Sequence, residues 1–195
     1  MRPIFFIYLL ALSILLSACT QIPSKDIAYP IDPQLPAPQI WSIQAKLGIR
    51  HDENNGSVIV NWRQNEAEYL ITIQGSFGQG NATIRGNEQY VVIERPGQSP
   101  IFSNDANTLI EQTFGWDLPV TSFSYWVRGL HSPEYLVDDV VYDANGYIVS
   151  LQQSNWTLDY SRYQAVSGRL LPGKIRAKQA GSQLTLIIRQ WQLLD

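Results

Sequence analysis

The chain has 195 residues, with 14 Lys+Arg against 17 Asp+Glu, a formal net charge of −3 and only 16% charged residues. It contains no run of basic residues, which argues against nucleic-acid binding, because phosphate contacts need a clustered positive footprint. Six tryptophans and ten tyrosines are more than a plain core of this size requires and suggest a large apolar interior surface.

The N-terminus carries one positive charge, Arg2, and then an apolar run from Ile4 to Leu16. It closes on Ser17, Ala18 and Cys19, the only cysteine of the chain. This is the plan of a secretory signal peptide. The stretch from Pro3 to Ala18 is short for a membrane span, which needs about 20 apolar residues. A lone cysteine in a secreted protein cannot form an internal disulfide and calls for another explanation. The segment Leu16-Ser17-Ala18-Cys19 resembles the bacterial lipobox, in which the cysteine is lipidated and becomes the first residue after cleavage. The resemblance implies a signal peptide over 1–18, lipidation at Cys19 and anchorage in a bacterial envelope. Thr20 stands where an aspartate would commonly signal inner-membrane retention, so the outer membrane is expected. Residues 19–39, with Pro23, Pro30, Pro33, Pro36 and Pro38, read as an extended, partly stiff tether. The remaining 40–195 read as one domain.

From Ile40 the pattern is strict alternation, the period-two signature of half-buried strands. Trp41, Ile43, Ala45, Leu47 and Ile49 alternate with polar or small residues, and His51–Gly56 reads as a polar turn. Val58, Val60 and Trp62 continue the pattern, followed by Tyr69, Ile71 and Ile73, and then Tyr90 and Val92. The intervening Gly/Asn-rich turns predict a meander of antiparallel strands.

The period then changes. Ala106, Leu109, Ile110, Thr113 and Phe114 fall at helical spacing, with Asn104 or Asp105 as N-cap candidates. Phe123, Trp126, Val127 and Leu130 repeat that spacing, and Gly129 is placed to end the second helix. Strands resume with Asp139–Asp143 and Tyr147–Gln152 around the hairpin signal Asn145-Gly146. Trp156, Leu158 and Tyr160 alternate next, and Lys174–Lys178 and Gln183–Leu193 finish the sheet. A sheet of this length tends to curl, and two short helices would cover its concave face. The expected fold is mainly β (α+β): a single-domain incomplete antiparallel β-barrel with a short helical lid over an apolar cavity.

Catalytic and metal motifs are scarce. His51 and His131 have no ligand partners at metal spacing. There is no nucleophile elbow, P-loop or dinucleotide fingerprint, and Gly75-Ser76-Phe77-Gly78 lacks the spacing of an elbow. Asp138 and Asp139 are strand neighbours whose side chains face opposite ways. No enzyme activity, metal or cofactor is expected.

What remains is apolar surface. Any single one of Trp62, Tyr69, Trp126, Trp156 and Tyr160 can be a simple core residue, but their number points to a barrel that holds a lipophilic ligand. Phe77 stands between Gly75 and Gly78 in a strand-to-strand connection where turn chemistry calls for polar residues. Such an aromatic either folds back onto the domain or wedges into a membrane interface.

Several segments, in order, resemble the LolB family, outer-membrane lipoproteins that receive other lipoproteins from a periplasmic carrier. They are Asn61-Trp62-Arg63-Gln64 with Tyr69, the Gly75-Ser76-Phe77-Gly78 connection, and Gly115-Trp116-Asp117-Leu118-Pro119-Val120. Tyr125-Trp126-Val127-Arg128-Gly129-Leu130, Trp156 with Tyr160, and Leu171-Pro172 before Lys174 complete the set. The resemblance runs from about Trp41 to Trp191. It implies a partner in a LolA-like periplasmic carrier, acylated lipoprotein as cargo, outer-membrane lipid as destination and a monomeric state. It also implies an acyl-chain cavity around Trp62, Tyr69, Trp126, Trp156 and Tyr160, with Phe77, where the family commonly has Leu, as the membrane-inserting tip. A lipocalin-like carrier of a small lipophile and a purely structural envelope lipoprotein remain as alternatives.

Overall fold

A computed structural model describes residues 31–32, 34–51, 54–75, 80–115 and 119–194. The lipidation site Cys19 and the tip residue Phe77 lie outside the described residues, as does the signal segment.

Eleven strands form one antiparallel sheet. The first half runs β1 (Ile40–His51), β2 (Asn54–Asn65), β3 (Glu68–Gln74), β4 (Ala82–Gly86), β5 (Val91–Glu94) and β6 (Ile101–Ser103). Two helices follow, α1 (Ala106–Phe114) and α2 (Val120–Val127). The second half comprises β7 (Val137–Tyr142), β8 (Ile148–Gln153), β9 (Trp156–Ser161), β12 (Lys174–Gln179) and β13 (Ser182–Leu193). Between β9 and β12 the short strands β10 (Gln164–Val166) and β11 (Arg169–Leu171) pair only with each other. The strand order is β6-β5-β4-β3-β2-β1-β13-β12-β9-β8-β7. Strands β6 and β7 are therefore the two edges, the barrel does not close, and the two helices join one edge to the other along the chain.

The strands follow from their side-chain patterns. In β1, Trp41, Ile43, Ala45, Leu47 and Ile49 are all buried while their neighbours are not. The long central strands stay in register with β1: Ile43 opposes Trp62 on β2 and Trp191 on β13, and Leu47 opposes Val58 and Leu186. One irregularity, between Gln44 and Ala45, breaks the β1–β13 ladder, a device that bends and twists a strand. Turn chemistry does the rest. Ser154 and Asn155 both take positive φ (53° and 63°) between β8 and β9, as the two-residue hairpin turn that matches strand twist requires.

The expected elements differ from the observed ones at several points. The polar turn after β1 is tighter than His51–Gly56, since β1 runs to His51 and β2 starts at Asn54. Tyr90 is exposed and precedes β5, in which Val91, Val92 and Ile93 are all buried, so that strand is covered on both faces and carries no alternation. The second helix starts at Val120 and stops at Val127, leaving Leu130 outside it; Gly129 follows the stop with φ 77°.

The tail of the Pro-rich stretch lies against the domain. The Asp32 N–H donates to Gly168 O, Arg169 Nε donates to Pro36 O, and Pro38 is fully buried, its carbonyl accepting from Arg128 Nη1.

Candidate functional site

A row of rings crosses the space between sheet and helices. Trp191 on β13 meets Trp41 on β1 (centroids 5.5 Å apart), and Trp41 meets Trp62 on β2 (5.3 Å). Trp62 stacks on Phe123 of α2 (6.5 Å, 18° between planes). Phe123 meets Trp126 edge-on (5.9 Å, 65°), and Trp126 reaches Trp156 on β9 (6.3 Å). Tilted and offset contacts of this kind are the favoured geometries for aromatic pairs. The row thus passes from sheet to helix and back to sheet, with α2 supplying the two middle rings.

Of the residues expected to line an acyl site, Trp62, Trp126, Trp156 and Tyr160 share one buried cluster, and Tyr69 packs against its margin, half-buried. The interior they share is apolar. Tyr69 and Trp62 also line a crevice of about 200 Å³ between the rim of β2 and β3 and helix α2, with Gln64, Ser124, Tyr125 and Arg128. Gly86 makes room there: a Cβ at that position would collide with Tyr90 O and the Tyr69 hydroxyl.

Polar groups hold the row in place. Trp62 Nε1 donates to Gln64 Oε1 (2.9 Å), and Trp191 Nε1 donates to Pro172 O (2.9 Å). Trp126 Nε1 donates to Oε1 of the fully buried Gln153 (2.8 Å). That oxygen also accepts from Ser132 N, while Gln153 Nε2 donates to Ser132 O and Tyr135 O. Gln153 is thereby saturated and ties α2, the turn after it and β8 together. Arg128, just beyond α2, is buried with backbone carbonyls for partners, donating to Ser124 O and Pro38 O, and it covers the Tyr125 ring at 4.8 Å. Burial pulls its pKa down from the usual value.

Three donors in and beside this interior make no hydrogen bond: Trp41 Nε1, Tyr69 OH and Tyr160 OH. Burial raises the Tyr69 pKa to about 12, with Tyr90 adding to the shift. Burial also pushes Tyr160 well above 10, with a smaller contribution from Tyr163. Both phenols are neutral at physiological pH.

Sequence reasoning singled out neither Trp41 and Trp191 as members of the row nor Gln153, Gln64 and Arg128 as its supports. Trp41 and Trp191 were legible as inward-facing strand positions. Gln153 carries no sequence signal, because it reaches partners 18 to 27 residues away.

An unclosed antiparallel sheet whose apolar face is roofed by helices defines a fold class seen in solved structures. A LolA superfamily protein from Nitrosomonas europaea superposes with a TM-score of 0.52 over 85% of this chain and 89% of that one, at 11% identity. A DUF1329 family protein from Desulfovibrio piger gives 0.51 over 80% and 86%, at 7% identity. Sequence is more specific. The family model described as outer membrane lipoprotein LolB matches residues 39–191. The outer-membrane lipoprotein LolB of Cellvibrio japonicus is 40% identical over 164 residues, covering 82% of this chain and 81% of that protein. Its counterpart in Pseudomonas paraeruginosa is 34% identical over 159 residues, covering 82% and 77%. The chain belongs to the LolB family of outer-membrane lipoproteins.

Proposed function

We propose that the chain accepts acylated lipoproteins from a LolA-like periplasmic carrier and passes them to the inner leaflet of the outer membrane. The observation that carries this reading is the roof of the apolar interior. Its middle rings come from one eight-residue helix, beside Leu109 and Ile110 of α1, rather than from a further strand, so withdrawing α2 opens the interior without breaking the sheet. Each acyl methylene costs about 0.8 kcal/mol to expose to water. Three chains on one cargo reach tens of kcal/mol by the same count, so transfer runs from one apolar interior to another and then into lipid. In this reading the chains take the place of Phe123 and Trp126 against Trp62, Trp156 and Tyr160, with Tyr69 at the rim. The affinity gradient toward the bilayer drives the step, and no cofactor or catalysis enters it.

Cys19 would hold the domain at the membrane through its lipid, with the stretch ahead of Asp32 giving reach, since Asp32 to Pro38 lie against the domain. Phe77 lies in the connection from β3 to β4, whose base is joined by a bond from the Gly75 N–H to Asn81 Oδ1 (3.3 Å). It would serve as the wedge that promotes release into the leaflet.

The test mixes a Cys19→Ala chain with the carrier loaded with an acylated lipoprotein. Cargo moving onto the chain supports the reading. Cargo staying on the carrier while the chain still binds a fluorescent fatty acid points instead to a small-lipophile carrier. Cargo staying with no fatty acid bound leaves a structural lipoprotein. In the lipidated chain, Phe77→Glu should leave uptake intact and stop insertion; normal insertion would sink the wedge.

A further inference from the structure

The second edge of the sheet carries an apolar strip that the folded domain does not use. Leu136 is 90% exposed, Tyr142 51%, Val141 46%, Tyr135 41% and Val137 36%. These five fall within eight consecutive residues, a density of large exposed apolar groups found nowhere else among the described residues. Along a strand these side chains alternate between the two faces, so they form a ridge along the edge, and large apolar side chains gathered in this way favour an interaction site.

The strip is presented by a fixed turn. Gln153 holds the carbonyls of Ser132 and Tyr135, each at 2.8 Å, the Glu134 N–H donates to Ser132 Oγ, and Ser122 Oγ donates to Glu134 Oε2. A pre-organised loop loses little entropy on binding. The same Gln153 holds Trp126 of α2, so a partner seated on the strip lies beside the helix that roofs the interior.

Charge identifies the partner. From Gly129 to Ser161 the sequence has no Lys or Arg and five carboxylates: Glu134, Asp138, Asp139, Asp143 and Asp159. Asp159 approaches Lys178 at 3.9 Å, Asp143 accepts from the Asn145 and Tyr147 N–H groups of its own turn, and Glu134 accepts from Ser122. Asp138 and Asp139 stand exposed on β7 itself, one toward each face. Two copies meeting edge to edge would set like charges against each other, and an anionic bilayer would be repelled in the same way. The pairing between β7 and β8 is irregular at both ends of β7, which further spoils the edge for a second copy.

We propose that this acidic apolar strip, centred on Leu136 and the β7 edge, is where the cargo-loaded carrier docks, through a surface that is apolar at its centre and basic around it. The proposal rests on the receptor reading above. Carboxylates steer the encounter, and the apolar side chains hold the complex while cargo passes beside α2.

The test uses the full lipidated chain in vesicles of zwitterionic lipid, with Leu136→Ser, the pair Asp138→Lys and Asp139→Lys, and a photo-crosslinking residue at 136. All three positions are exposed, so thermal melting and fatty-acid uptake should not change. Carrier affinity should fall at least about tenfold in each variant, as expected for a central interface residue. It should weaken with added salt in the unsubstituted chain and lose that dependence in the lysine pair. Residue 136 should crosslink to the carrier. Unchanged carrier affinity in both variants, or crosslinks to lipid or to another copy in place of the carrier, overturns the proposal. Cargo refused by the unsubstituted chain as well overturns the receptor reading itself, and the docking site with it.

Discussion

Helices α1 and α2 sit side by side in the chain, yet they are helical for different reasons. Helix α1 is specified locally. Asp105 caps it, accepting from the Thr108 N–H (3.0 Å) and the Thr108 hydroxyl, and Gly115 closes it at φ 71° with its N–H on Glu111 O. It buries only Leu109 and Ile110. Its last turn rests on Arg95, which donates to Thr113 O and lies 5.1 Å from the Phe114 ring. Helix α2 is the reverse. Its sequence, Val-Thr-Ser-Phe-Ser-Tyr-Trp-Val, consists of weak helix formers, and its N-cap residue Pro119 makes no side-chain bond. It buries six of its eight residues. An isolated helix of this length is unstable in water, so α2 exists because Phe123 and Trp126 are seated in the ring row. Whatever displaces those rings also removes the reason for the helix.

The comparison is broken most severely at Trp126. Trp126→Ala removes the ring joining Phe123 to Trp156 and the indole donor to Gln153 Oε1, which keeps only its bond from the Ser132 N–H. The expected cost is about 3–5 kcal/mol, read as a drop in the urea midpoint. Amide exchange should accelerate in α2 and the turn after it far more than in α1. Equal acceleration in both helices would show that they form one unit.

A milder change addresses α1. Gly115→Ala forces a Cβ into left-handed backbone and should cost about 1 kcal/mol. The loss should appear as fraying of the last turn of α1, with the fluorescence of the ring row unaltered. The two helices are nonetheless linked at one point: Asn107, on α1, accepts from the Val120 N–H at the start of α2 (3.2 Å). Asn107→Ala should cost about 0.5–1 kcal/mol. Exchange should quicken at the first turn of α2 rather than in α1, where the side chain originates.

The same contrast explains what was legible in the sequence. Helix α1 was readable with its cap because cap, apolar spacing and terminal glycine are all local signals. For α2 the helical spacing and the stop at Gly129 are visible in the sequence, although the spacing runs on to Leu130, beyond the helix. Gly129 ends the helix at φ 77°, with its own N–H on Trp126 O and the Leu130 N–H on Tyr125 O. The inward faces of β1, β2, β3 and β9 were readable because one side meets the core and the other meets water. β5 was not, since both its faces are covered. Trp62, Trp126, Trp156 and Tyr160 fall in one buried cluster, with Tyr69 at its margin. That Trp62 meets Trp126 through Phe123 depends on the docking of α2, and that Trp62 reaches Trp191 through Trp41 depends on a strand order that joins β1 to β13; no local pattern encodes either.

The smallest expected effect at neutral pH concerns Tyr160, the deepest phenol of the interior. Its hydroxyl is buried with no hydrogen bond, a situation that ordinarily costs free energy, so Tyr160→Phe should be neutral or stabilising by up to about 1 kcal/mol. The substitution should reveal itself in alkali. Burial raises the pKa of Tyr160, and that of Tyr69 to about 12, whereas in the unfolded chain both ionise near 10. Below pH 10 the phenols are neutral in both states and their ionisation does not affect stability. As pH rises past 10 the unfolded chain loses protons that the folded one keeps, so stability falls through the raised folded values. Tyr160→Phe should therefore move the alkaline unfolding midpoint upward, and Tyr69→Phe should do so less, since that ring is only half-buried. An alkaline midpoint identical in Tyr160→Phe and the unsubstituted chain would mean that the Tyr160 hydroxyl reaches solvent, and hence that the ring row opens at this end without cargo.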